Sequence, residues 1–157
     1  MSKLVLPALA AAGAMVLPAF AQARPVTFEV KLKRYGGDGA YVALYLLDKA
    51  GAYKGTLWLA GGKSKYYSHL RDWARLSGGG GRLDGVTGAS VGAGRTLTVT
   101  TDLADALIDG GFQVRVDAAV EDMRDAPSDA ITPLTAAGAG QPQRGKVYVD
   151  AVTYKLP

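Results

Sequence analysis

Val26-Thr27-Phe28-Glu29-Val30-Lys31-Leu32-Lys33 alternates strictly, with apolar residues at the even positions and polar or charged ones between them. Successive side chains of a strand point to opposite faces, so this stretch predicts a half-buried β-strand with one wet face. Tyr41 to Leu47 is a denser apolar run, suited to a strand covered on both sides. Asp48-Lys49-Ala50-Gly51 follows as a turn sequence, with glycine at the position that tolerates positive φ. Tyr53 to Leu59 can then return as the hairpin partner, with Trp58 expected in the core.

From Ser64 to Leu76 the period changes. Tyr66, Leu70 and Trp73 fall at helical spacing, flanked by Tyr67 and Ala74, so the pattern predicts one short helix. Ser64 is its expected N-cap and Gly78 its C-terminal stop. Gly78 to Gly81 reads as a flexible hinge. Alternation resumes at Arg95 to Thr101, and an acidic stretch, Asp102 to Asp109, leads to a turn at Gly110-Gly111. Phe112, Val114, Val116, Ala118 and Val120 give the longest clean alternation in the chain. Glu121 to Gln143 is proline-interrupted and has no usable period, which predicts a long loop or an excursion between strands. Lys146 to Leu156 closes the chain as a strand. Six or seven short strands with glycine-rich turns and one short helix indicate an all-β fold, an immunoglobulin-like antiparallel β-sandwich.

The ends and the composition bound what such a domain does. Lys3, the apolar run Leu4 to Phe20, and Ala21-Gln22-Ala23 make residues 1–23 a secretory signal with cleavage after Ala23. The rival reading, a membrane anchor, is interrupted by Pro7 and Pro18. Residues 24–157 then form a single periplasmic domain that is not membrane-embedded. The formal charge of +4 is a mild excess, which together with export argues against nucleic acid as a partner. With no cysteine, the chain has no disulfide, no thiolate metal site and no Cys-x-x-Cys-His haem attachment. With His69 its only histidine, a transition-metal site would depend on a carboxylate cluster, and no such cluster is evident.

Asp84-Gly85-Val86-Thr87-Gly88-Ala89-Ser90 stands between a four-glycine run and a strand. It resembles the acceptor sequence of periplasmic flavin transferases, Asp-x-x-Thr/Ser-Gly-Ala-Thr/Ser, in which FMN is linked by a phosphoester to the last hydroxyl. Such motifs more often end in threonine; here the acceptor position is Ser90. The resemblance implies that Ser90 carries covalent FMN and that Asp84 and Thr87 are recognition residues. Gly85, Gly88 and Ala89 remove bulk around the hydroxyl so that it can enter another active site. The alternative reading is a tight turn capped by Asp84, with Gly88 at positive φ and Thr87 satisfying a backbone group.

The succession of an aromatic-bearing strand, Leu70-Arg71-Asp72-Trp73, the Asp84–Ser90 motif and Gly110-Gly111-Phe112-Gln113-Val114-Arg115-Val116 ending at Glu121 also resembles a family. That family is the exported predicted periplasmic proteins, domain of unknown function 2271, over roughly residues 26 to 122. Its members tend to occur with PepSY-containing membrane proteins and flavin transferases, which implies extracytoplasmic electron flow or iron handling.

Other constellations are weaker. Gly88-Ala89-Ser90-Val91-Gly92 spells a hydrolase elbow, but that elbow needs a strand before the serine and a helix after it. His69 reads as a solvated surface residue. Tyr66, Tyr67 and Trp73 could stack on a flavin or haem, though at helical spacing such residues more often pack in a core. Asp102, Asp105 and Asp109 lack the spacing of a calcium loop. The expectation is therefore a non-enzymatic module bearing FMN on Ser90 beside a membrane reductase. The alternative is a cofactor-free binding or accessory module of a periplasmic membrane complex, related to iron or haem.

Overall fold

The computed structural model describes residues 22–79 and 86–157. The leader up to residue 21, and Asp84 and Gly85 of the acceptor-like stretch, lie outside the described residues, as does the end of the expected glycine hinge. The elements run β1 (Ala23–Leu32), β2 (Tyr41–Leu47), β3 (Tyr53–Ala60), a 3-10 helix (Ser64–His69), α1 (Arg71–Ser77), β4 (Thr87–Gly88) and β5 (Thr96–Ala104). After a short 3-10 turn (Asp105–Leu107) come β6 (Gln113–Ala119), β7 (Ala126–Pro133), β8 (Gln143–Arg144) and β9 (Val149–Lys155). Two sheets result, one ordered β5-β1-β9-β8 and the other β4-β3-β2-β6-β7.

The alternation that predicts β1 places Val26, Phe28, Val30 and Leu32 in the core between the sheets, all buried. Phe28 lies opposite Val99 of β5 and Tyr154 of β9, so each neighbouring strand adds an apolar partner at the same level. Complete burial of such a side chain contributes about 1.5–3 kcal/mol, and this layer repeats along the strand. β2 is covered on both faces, as its density predicts. Val42, Leu44 and Leu46 face the core shared by the sheets, while Ala43, Tyr45 and Leu47 join Leu70 and Trp73 in a second cluster. That second cluster is where the helical segment seals the outer face of the five-stranded sheet. The β2–β3 turn also forms as expected: Asp48 Oδ1 accepts from the N–H groups of Ala50 and Ala52, and Gly51 takes φ +83°.

Five expectations need correction. The segment Ser64 to Leu76 is not one helix but a 3-10 helix and α1, broken at Leu70 (φ −80°, ψ 74°). Ser64 makes no cap, because the start of the segment is held instead by Tyr41, whose hydroxyl accepts from Lys63 N–H at 3.0 Å. Trp58 is half-buried rather than enclosed, with its indole against the edge at Gly88. The stretch Glu121 to Gln143 contains β7. Pro127 and Pro133 hide it in the sequence, yet both fit, because β7 is the edge of its sheet and an edge strand need not donate every ladder hydrogen bond. Finally, the sheets are not wholly antiparallel: β3 and β4 pair in parallel. The chain leaves β3, crosses through α1 and returns in the same direction, which is the crossover that a parallel pair requires. Gly78 ends α1 in the left-handed region (φ +70°), as expected of a C-terminal stop.

Candidate functional site

Ser90 sits between two anchored points. On one side, β4 hydrogen-bonds β3 through Leu59 N–H to Val86 O (2.7 Å) and Gly61 N–H to Gly88 O (2.8 Å). On the other, Val91 and Ala40 exchange both backbone hydrogen bonds, at 2.7 and 2.9 Å. Ala89 and Ser90 are exposed between these anchors, and Thr87 is exposed on β4. The described part of the stretch is therefore an exposed step stitched to the sheet at both ends. Gly88 is not at positive φ. Glycine stands there because a Cβ would come within 2.7 Å of the Trp58 indole. Gly39 serves Ser90 in a similar way, since a Cβ at that position would lie 2.9 Å from the serine Oγ.

Ser90 opens onto a cleft of about 500 Å³ walled by Tyr41, Lys63, Tyr66, His69 and Met123, with Asp38, Glu121 and Asp122 on the rim. The wall is an aromatic stack. Tyr41 and Tyr66 meet edge to face at 5.7 Å, Tyr41 and Tyr67 at 6.2 Å, and Tyr67 and Trp73 at 5.9 Å. Such edge-to-face pairs add roughly 0.5–1.5 kcal/mol each beyond burial. Gly61 (φ +143°) lets the Tyr41 ring lie on the backbone, where a Cβ would strike the ring. Tyr67 donates to Gly61 O at 2.9 Å, and burial raises its pKa above the ordinary phenol value. Lys65 Nζ lies 4.9 Å from the Tyr66 ring centre.

His69 is exposed, as expected of a surface residue, and it also lines this cleft. Its Nδ1 is 3.0 Å from Asp125 Oδ1, and the same carboxylate accepts from Arg71 Nε at 2.6 Å. The break in the helix at Leu70 is what turns Tyr66 and His69 toward the cleft while Leu70 and Trp73 stay buried.

Beneath the wall lies a polar network that the alternation of β6 conceals. Asp117 is wholly buried on the outer face of β6. Its carboxylate accepts from the Tyr45 hydroxyl, Trp73 N–H and Ser128 N–H, each at 2.8 Å. Burial pushes the Asp117 pKa up, and the three donors oppose that shift without cancelling it. Burial, with Asp117 beside it, also raises Tyr45. Ser128 in turn donates to Asp72 of α1 at 2.6 Å. Burial pulls the Asp72 pKa upward, but the hydrogen bonds from Ser128 and Arg75 outweigh it and the net shift is downward. In the sequence Asp117 continues the polar odd positions Gln113 and Arg115, so nothing local sets it apart.

Other candidates do not converge. Asp105 pairs with Arg24 (2.6 Å), Asp109 accepts from Ala136 N–H (3.2 Å), and Asp102 is exposed on β5, so the three form no common site. Among the described residues no group of His, Cys, Asp and Glu is placed to hold a metal. A bridge and a turn, not a helix, follow Ser90, so the hydrolase elbow is absent.

The family model of predicted periplasmic proteins, DUF2271, matches residues 23–151. The chain belongs to that family. No curated protein and no solved structure matches it. Family membership describes a periplasmic protein, and among the described residues no helix is long and apolar enough to cross a membrane.

Proposed function

We propose that this member of the family is a periplasmic electron-carrier module that bears FMN as a phosphoester on Ser90 and works beside a membrane reductase. The observation that carries the reading is the position of Ser90: an exposed hydroxyl at the mouth of a cleft walled by Tyr41 and Tyr66. The cleft is within the range of small-molecule sites, roughly 300–1,000 Å³, and its tyrosine faces suit a flat aromatic ring. Lys63 and His69 supply donors toward a phosphate, while Asp38, Glu121 and Asp122 oppose a second negative charge. A phosphodiester, with a single charge, fits that balance better than a free phosphate monoester.

In the transfer, the Ser90 oxygen bonds to the flavin-bearing phosphorus of a flavin dinucleotide. The bond to the nucleoside monophosphate breaks, and the serine proton leaves with that group. The separate transferase activates the hydroxyl. Once attached, the cofactor supplies the redox chemistry, and Tyr41, Tyr66 and Gly39 set its position and surroundings. The protein itself is not an enzyme in this reading.

A second reading rests on the anchoring of the acceptor stretch to β3 and Ala40. A segment stitched at both ends enters a transferase site less readily, which favours a cofactor-free accessory module that uses the same cleft for a partner related to iron or haem. Intact mass of the protein after periplasmic co-expression with a flavin transferase separates the two. The carrier reading expects a gain of one FMN less water, absent in Ser90→Ala. No gain, under conditions that modify a known acceptor, would leave the accessory module.

A further inference from the structure

A second groove, of about 510 Å³, lies at the same end of the sandwich as the Ser90 cleft and is lined by Lys31, Lys33, Arg34, Gly94 and Asp150. The two share their chain segments: β1 runs out through Arg34 to Asp38 of the cleft, and Ser90 leads through Val91 to Gly94. One further cation, Arg144, stands beside the groove, whose edges are tied to neighbouring backbone. Leu32 N–H bonds Arg95 O, Lys33 Nζ donates to Lys146 O at 3.3 Å, and Arg144 pairs with Asp150 at 3.0 Å. Lys31 approaches the same carboxylate at 3.9 Å. Gly94, at φ +72°, leaves room for the Arg34 stem, whose Cγ would be 3.0 Å from a Cβ there.

Lys31, Lys33 and Arg34 line the groove, Asp150 is its one acidic lining residue, and Arg144 pairs with that carboxylate, so the basic groups outnumber the acidic one there. The loop that holds Lys146 is built rather than loose. Buried Asp129 accepts the backbone N–H groups of Lys146, Val147, Tyr148 and Val149 at 2.6–2.9 Å.

We propose that this groove docks the protein on anionic phospholipid headgroups of a membrane surface, with the Ser90 cleft held at the membrane-facing end. Charge complementarity carries the choice of occupant. Lysine and arginine near an anionic bilayer each contribute on the order of 1 kcal/mol, and several act together. A stable protein interface needs an apolar or aromatic core, and the groove presents none. The large hydrophobic residue exposed among those described is Met123, which lies in the adjoining cleft and suits shallow contact with a bilayer rather than a protein hot spot. The inference does not depend on FMN at Ser90.

The test is co-sedimentation of the exported protein with vesicles of phosphatidylglycerol and phosphatidylcholine in equal parts, and with phosphatidylcholine alone. Binding is expected to the first and not the second, and to fall with added salt. Lys33→Gln with Arg34→Gln should weaken it roughly 30-fold. Lys49→Gln with Lys54→Gln, an equal charge loss at the far-end β2–β3 turn, should change it less than about threefold. Absence of binding to anionic vesicles overturns the proposal, as does equal weakening by both pairs. Inorganic phosphate that abolishes binding at matched ionic strength would assign the groove to a free phosphate group instead. Capture by poly-aspartate without capture by vesicles would assign it to an acidic polypeptide.

Discussion

Asp117 shows how one buried carboxylate joins three elements. Oδ1 accepts from Tyr45 of β2 and from Ser128 N–H of β7, and Oδ2 accepts from Trp73 N–H of α1. Asp117→Asn keeps one acceptor oxygen but turns an N–H donor toward Trp73 N–H. The orphaned group should cost about 1–3 kcal/mol in urea unfolding. The pH dependence has a definite sign. The folded-state pKa lies above the ordinary 3.8, so between those two values the native state holds a proton that the unfolded chain has lost. The resulting stability is fully present below 3.8 and is lost as pH rises through the raised folded value. The advantage of the wild type over Asp117→Asn should therefore be largest in acid and shrink toward neutrality. An advantage that instead grows with pH would mean that the three hydrogen bonds overcome desolvation and hold the carboxylate charged.

At the level of elements, Trp73 is the peg of the helical wall. It is wholly buried, its Nε1 donates to Thr56 Oγ1 at 2.9 Å, and its ring meets Tyr67. Trp73→Ala should lower stability by about 3–5 kcal/mol, read as an earlier urea midpoint. Because Tyr67 and Tyr66 lean on the same stack, any ring bound in the cleft should lose its ordered environment as well. A loss below about 1 kcal/mol would show α1 to be only loosely docked. Trp73 was legible as a core residue because helical period and aromatic bulk agree there. The break at Leu70 was not, since it follows from Tyr41, which is distant in sequence and holds the start of the segment. β1, β2, β6 and β9 were legible from period or apolar density alone. β7 was hidden by its prolines, which are permitted only by its edge position. Position on a sheet is a property of the assembled fold. The site divides in the same way: Ser90 announces itself by a local motif, whereas His69, Tyr41 and Met123 meet it only because ends of β2, β4 and β6 come together beside the 3-10 helix. The buried Asp117 looked like any other polar residue on a wet face until α1 covered that face.

The whole molecule is polar along its length. One end gathers the Ser90 cleft and the cationic groove, while the other carries the Asp48–Gly51 turn and the Arg24–Asp105 pair. The strands that join these ends are enclosed by a cysteine-free core, so they couple the loops to a stiff body by packing alone. A surface bound at the basic end should therefore quiet that end and leave the other unchanged. Hydrogen exchange on vesicles of phosphatidylglycerol and phosphatidylcholine reads this directly. Residues 33–40 and 90–95 should exchange more slowly when bound, while residues 48–52 should keep their rates in solution. Slowing confined to the Asp48–Gly51 turn would place the membrane at the wrong end. Slowing spread evenly along the chain would mean that binding is set by net charge with no fixed orientation. With the predicted pattern, the Ser90 cleft would face the bilayer.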